Sequence, residues 1–224
     1  MRSASETARG REPLSARAKV SAALNIALAL LAIGSWLTMF LRAGDNGRLS
    51  SANWESLKYF TILSNLLMAA AGLLWAALLL GRRTSHRALV LKFAGTVSVS
   101  LTFLTVMLFL GPMFGYPPMF AGVSLHLHLT VPVAAALDFV FLCREGELRP
   151  KDALWGALPM ALYGVWYVGN NLINGVGVWP ATNDFYGFFT WGKGVAGVIA
   201  VVMVIGTWGL AHLLRFLRGK FMAK

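Results

Sequence analysis

The sequence predicts an all-α polytopic membrane protein: a bundle of six transmembrane helices with both termini cytoplasmic. Three observations carry that reading. Of the 224 residues, 57% are hydrophobic and only 13% charged, about half the charged share of a soluble domain. The apolar residues fall into six blocks, each of about twenty residues or more, which is long enough to cross a bilayer. The formal charge of +11 collects at the ends of those blocks, the ordinary mark of membrane orientation. That placement also argues against a nucleic-acid partner, which the net charge alone would invite.

Residues 1–19 hold Arg2, Arg9, Arg11, Arg17 and Lys19 against Glu6 and Glu12, and read as a disordered basic cytoplasmic tail. The first span is 20–41; its apolar run exceeds a signal-peptide core and no small-residue cleavage site follows, so it reads as uncleaved. A Gly/Asn/Ser-rich loop over 42–53 leads to the second span, 54–80. The turn 81–87 is basic, with Arg82, Arg83 and Arg87, and the third span, 88–110, carries Lys92 in its first turns. An uncharged loop of Pro, Gly and aromatics, 111–120, precedes the fourth span, 121–142. A charged turn follows, then the fifth span, 153–173, which ends in Asn170 and Asn171. The longest loop, 174–189, has one charge, Asp184, and many aromatics. The sixth span is 191–214; the membrane domain runs over 20–217 and a basic cytoplasmic tail over 218–224. Arg and Lys crowd the tails and the even-numbered turns, which sets both termini in the cytoplasm and the protein in the cell membrane.

Rise per residue then places the polar residues in depth. Thr61 lies seven residues in from Trp54, and His128 seven residues in from Ala121, so both sit about 10 Å below the outer boundary. Lys92 and Asp138 each lie four residues from a cytoplasmic helix end, about 6 Å deep. An ionisable group inside a span is costly unless paired or wet, so the two are expected to form an ion pair locking the third and fourth helices. Snorkelling of Lys92 to the headgroups is the competing reading.

On an unbroken second helix, Lys58, Thr61 and Asn65 share one face. Taken singly, Lys58 is an interfacial snorkeller, Thr61 a hydroxyl bonded back to the Leu57 carbonyl, and Asn65 interhelical glue. Taken with His128, they hold the parts of a hydrolase: a hydroxyl nucleophile, an imidazole base, and a cation or amide to stabilise an oxyanion. Pro132 lies four residues after His128 and lacks the N–H that would bond the His128 carbonyl, so the helix is expected to open there. Ser124, four residues before His128, is placed to hydrogen-bond its ring. His126 points about 160° around the helix, which separates the two histidines. A haem would need facing histidines on separate spans, and His86 and His212 lie at other levels. The single cysteine, Cys143, excludes an internal disulfide and Cys-based metal clusters. No metal and no cofactor is called for. The same residues also fit a non-catalytic membrane protein that binds lipid or a small solute, or an acyltransferase that passes the acyl group to an alcohol instead of water.

The segment KYFT at 58–61, opening an apolar helix, resembles the first signature of the androgen-induced-gene family. HLTVP at 128–132, a membrane histidine shortly before a proline, resembles the second. The phrases YFTILSN and PVAAALD resemble the six-span bacterial branch more than the animal one. In animal members, a threonine and a histidine hydrolyse fatty acid esters of hydroxy fatty acids; by motif these correspond to Thr61 and His128. Those members place the histidine one residue further from the proline, and often show a Tyr-Pro-rich last outer loop where this chain has WPATNDFY at 179–186. The resemblance implies an intramembrane ester hydrolase with a membrane lipid or fatty-acid ester as substrate. It implies Thr61 and His128 as the catalytic pair; the residue pattern itself adds the expectation of Lys58, Asn65 and Ser124 in support and of the aromatic loops 114–120 and 179–189 as a roof.

Overall fold

The computed structural model describes residues 14–41, 52–178 and 182–222. Most of the expected basic tail at the N-terminus, most of the first loop and residues 179–181 of the expected roof lie outside them. The described chain is helical, with no strand among the described residues. Six long helices run in order: α1 (Ala16–Leu41), α2 (Phe60–Leu80), α3 (His86–Phe114), α4 (Val123–Leu142), α5 (Asp152–Asn174) and α6 (Lys193–Met222). All but α5 are long and apolar enough to cross a membrane. At 23 residues α5 is about 35 Å long, enough to span, but its last turns carry Asn170, Asn171 and Asn174 and dilute its hydropathy.

The helices depart at several points from the straight spans the sequence predicts. The second span is broken: a 3-10 turn, Asn53–Lys58, comes first, Tyr59 is extended, and α2 begins at Phe60. Helix α3 continues past Leu110 through a π-turn, Val106–Leu110, to Phe114, and one further turn, Tyr116–Met119, follows. Thus the expected roof over 114–120 is mostly helical. At the ends, α1 starts at Ala16 and α6 runs to Met222, so residues assigned to the two tails are helical. Arg218 is 2% exposed; its guanidinium donates to the carbonyls of Cys143, Glu145 and Gly146, tying α6 to the turn after α4.

Packing divides the bundle along its length. Around Thr61 the core is aromatic, with Phe60, Tyr163, Tyr167, Tyr186 and Phe188. In the middle, small residues such as Ala29, Ala32, Ala69 and Ala135 bring helices together. There a Cβ on Gly95 would lie 3.0 Å from the Met68 Cα, so α3 meets the α2 backbone directly. Toward Arg218, Trp75, Phe93, Phe139 and Cys143 form a third cluster.

Next to that third cluster lies a polar knot with no exposed surface. Lys92 Nζ is 2.6 Å from Asp138 Oδ2, and both side chains are fully buried. Helix α1 completes it: Ser21 donates to Asp138 Oδ1 at 2.6 Å, Asn25 Nδ2 to Asp138 Oδ2 at 2.9 Å, and Lys92 to Asn25 Oδ1. Three helices are therefore joined where the sequence reading links two.

Candidate active site between α2 and α4

Tertiary hydrogen bonds set the break before α2. Tyr163 of α5 donates its hydroxyl to the Lys58 carbonyl at 2.7 Å, removing an acceptor from the turn that would continue the helix. One residue beyond Tyr59, the Phe60 N–H donates to the Tyr186 hydroxyl at 3.0 Å. A helix start leaves its first N–H groups without intrahelical partners, and Tyr186 satisfies one of them from the outer loop. The loop is itself pinned: Tyr167 donates to one Asp184 oxygen, and the Phe189 N–H to the other at 2.9 Å.

This start puts Thr61 in the first turn of α2, half-buried. Leu57 belongs to the 3-10 turn, and no hydrogen bond joins it to the Thr61 hydroxyl among the described residues. The break also turns Lys58 away. Its ammonium is 2.9 Å from Glu55 and lies over the rings of Phe185 and Tyr59. Lys58 does not share a face with Thr61 and does not line its cavity, which removes it as an oxyanion donor.

His128 sits in a π-turn, His126–Thr130, inside α4. The Val131 N–H bonds the His126 carbonyl, five residues back. In that pattern the carbonyl facing the Pro132 nitrogen is that of Leu127, not of His128. Asn65 fills the vacancy: its Nδ2 donates to Leu127 O at 3.1 Å and to Thr61 O at 2.8 Å. Asn65 therefore bridges the two helices through backbone, and its amide is turned to structural bonds rather than to the Thr61 cavity.

The His128 Nδ1 lies 2.7 Å from the Met119 carbonyl. A carbonyl only accepts, so Nδ1 carries the proton, and in the neutral ring Nε2 then holds the lone pair. Ser124 lines the same cavity, but the ring bond the sequence reading gives it belongs to Met119. His126 does not line that cavity, in keeping with its opposite direction.

Thr61 and His128 face one internal cavity of about 40 Å³, with Met39, Tyr59, Leu127 and Tyr186 among its walls. Thr61 and Tyr186 also line a second cavity of about 30 Å³, with Thr102, Tyr163 and Met203. Each has room for about one or two waters. Tyr186 is thus common to both chambers, 8% exposed, and burial pushes its phenol up to about 12. It stays a neutral hydrogen-bonding group across the physiological range. Sequence reading placed it only in a roof; the loop's aromatic density was the available signal.

No cluster of three or more His, Cys, Asp or Glu that would hold a metal occurs among the described residues. No family model, curated protein or solved structure matches this chain.

Proposed function

We propose that this chain is an intramembrane hydrolase of lipid or fatty-acid esters, with Thr61 as nucleophile and His128 as general base. In this reading it is a six-pass protein of the cell membrane with cytoplasmic termini, α5 being the sixth span, and a member of the family its motifs resemble. The shared cavity is the observation that carries the proposal: Thr61 and His128, from non-consecutive helices, line the same small space. The Met119 bond supports it further, because it orients the ring with Nε2 free to accept a proton.

The steps follow from those atoms. His128 Nε2 takes the Thr61 hydroxyl proton as Oγ attacks the ester carbonyl. Collapse of the tetrahedral intermediate releases the alcohol, which takes the proton from Nε2. Water then gives a proton to Nε2 and attacks the acyl-threonine, freeing the acid and restoring Thr61. The oxyanion role passes from Lys58 and Asn65 to the hydroxyl of Tyr186, a residue that lines both chambers beside Thr61. An alcohol in place of water gives acyl transfer with the same residues.

A second reading has one observation in its favour. Asn65 is bonded to two carbonyls, as interhelical glue would be, and that fits a non-catalytic lipid-binding protein. The test is covalent labelling of the purified protein by a lipid-like fluorophosphonate, alongside hydrolysis of a long-chain ester. Labelling and turnover lost in both Thr61→Ala and His128→Ala, with the same melting temperature as wild type, support catalysis. Equal turnover in all three proteins refutes it.

A further inference from the structure

Helices α2 and α5 stand apart on one side of the bundle and leave a groove of about 350 Å³. Leu63 and Leu67 form one wall, Pro159, Leu162 and Trp166 the other. The groove opens sideways: Leu162 is 62% and Trp166 46% exposed. Its one hydroxyl on α2, Ser64, is satisfied by Thr102 at 2.9 Å and by the Thr61 carbonyl at 3.1 Å, so the surface it offers is apolar. Past Leu67, Pro159 and Leu162 it shares lining with a second groove of about 570 Å³ between α3 and α5, walled by Leu91, Ala94, Trp155 and Leu158 and closed at its far end by His86, Arg87 and Asp152. From Trp166 to Trp155 is eleven residues of α5, about 16 Å of continuous apolar surface.

At its back the groove ends on Phe60 and Tyr163, whose rings pack with centroids 5.1 Å apart. The same two side chains line the inner cavity that holds Thr61 and Tyr186. One ring pair therefore separates a lateral, chain-shaped groove from the chamber of the nucleophile.

We infer that this groove is the acyl-chain site and that the Phe60–Tyr163 pair is the door through which the ester reaches Thr61. The inference rests on the hydrolase reading and deepens it by placing the acyl chain of the ester in a groove that opens to the bilayer. The continuity is what assigns the occupant. The chain lies along Leu63, Leu67 and Leu162 while the carbonyl passes the rings, and the two inner cavities, each the size of a water or two, hold only the reacting end. Tyr163 couples the door to the nucleophile, since its hydroxyl also holds the Lys58 carbonyl at the break before α2.

The test compares p-nitrophenyl palmitate with p-nitrophenyl butyrate, using the full chain in phosphatidylcholine vesicles. Leu63→Trp fills the groove, and is expected to lower palmitate turnover at least about tenfold more than butyrate turnover. Val201→Trp, on the exposed face of α6, is the control and leaves the ratio at the wild-type value. An unchanged ratio in Leu63→Trp, or an equal change in Val201→Trp, overturns the inference. A second readout is independent of turnover: a diazirine-bearing palmitic acid is photolysed with the Thr61→Ala protein in the same vesicles. Label concentrated on α2 and α5 and displaced by Leu63→Trp supports the groove; label spread evenly over the lipid-facing helices overturns it. Groove labelling without ester turnover in the wild type refutes the hydrolase reading alone. Thr61-dependent turnover without groove labelling refutes the groove alone.

Discussion

Asp138→Asn is the sharpest probe of how the bundle is held. Asp138 receives three donors, Ser21 at 2.6 Å, Asn25 at 2.9 Å and Lys92 at 2.6 Å, and neither it nor Lys92 has exposed surface. Asparagine has the same shape. Its oxygen can keep the Asn25 and Lys92 bonds, and its amide can donate to the Ser21 hydroxyl once that rotates. What disappears is the negative charge opposite a buried ammonium. Breaking a buried pair from one side costs about 3–5 kcal/mol, because the remaining charge is left uncompensated. At about 2–4 °C per kcal/mol for a chain of this size, melting should fall by about 6–20 °C. The assay is built into the protein. Cys143, the single cysteine, is fully buried five residues beyond Asp138, so a thiol-reactive coumarin lights up only as the fold opens. Lys92→Met combined with Asp138→Asn removes both charges and should recover at least half of the loss. An unchanged melting point in Asp138→Asn, or a double variant no better than the single ones, refutes the account of the knot.

Four further outcomes are expected. Thr61→Ser should keep ester turnover while Thr61→Ala and His128→Ala each lose about a hundredfold or more, read as initial rates on the palmitate ester. Tyr186→Phe removes the acceptor of the Phe60 N–H, at about 1–3 kcal/mol, and should lower kcat more than it raises KM. Arg218→Ala leaves the carbonyls of Cys143, Glu145 and Gly146 without their donor, and Arg218→Lys, lacking the fork geometry, should restore less than half of the lost melting temperature. Burial pushes the Cys143 thiol up to about 12, so at pH 9 it stays protonated in the native protein. Maleimide labelling of the folded chain should therefore stay slow at pH 9 and become fast once detergent or heat unfolds it.

The helical class and most helix positions were readable because apolar block length is a direct physical demand of the bilayer. So was the pairing of Lys92 with Asp138, since rise per residue puts both at one level and an unpaired charge there is costly. Ser21 and Asn25 were also visible, four residues apart on one face of α1, but each is mild enough in an apolar span to pass unread. The start of α2 was not readable. Nothing in KYFT stops a helix; two tyrosines more than a hundred residues away do, by taking the Lys58 carbonyl and the Phe60 N–H. That single displacement moved Lys58 off the Thr61 face. At His128 the proline was a correct signal read one residue out of register. The π-turn transferred the orphaned carbonyl to Leu127, which then claimed Asn65.

The two ends of the bundle therefore carry different loads. From Asp138 to His128 is ten residues of α4, about 15 Å. At the Asp138 end, α4 is fixed to α1 and α3 by charge in a space with no exposed surface. A π-turn occurs at each of these ends, so what differs is the tie: at the His128 end the bond to α2 is the neutral Asn65 amide on the Leu127 carbonyl. The α2 end facing it starts after a break, where the Lys58 carbonyl and the Phe60 N–H are bonded by tyrosine hydroxyls rather than by ions. Neutral hydrogen bonds exchange partners at far lower cost than a buried ion pair. A bundle built this way can part its helices around Thr61 without losing register at Lys92. The ester hydrolysis proposed for this site would need that freedom, because at rest the chamber holds little more than water.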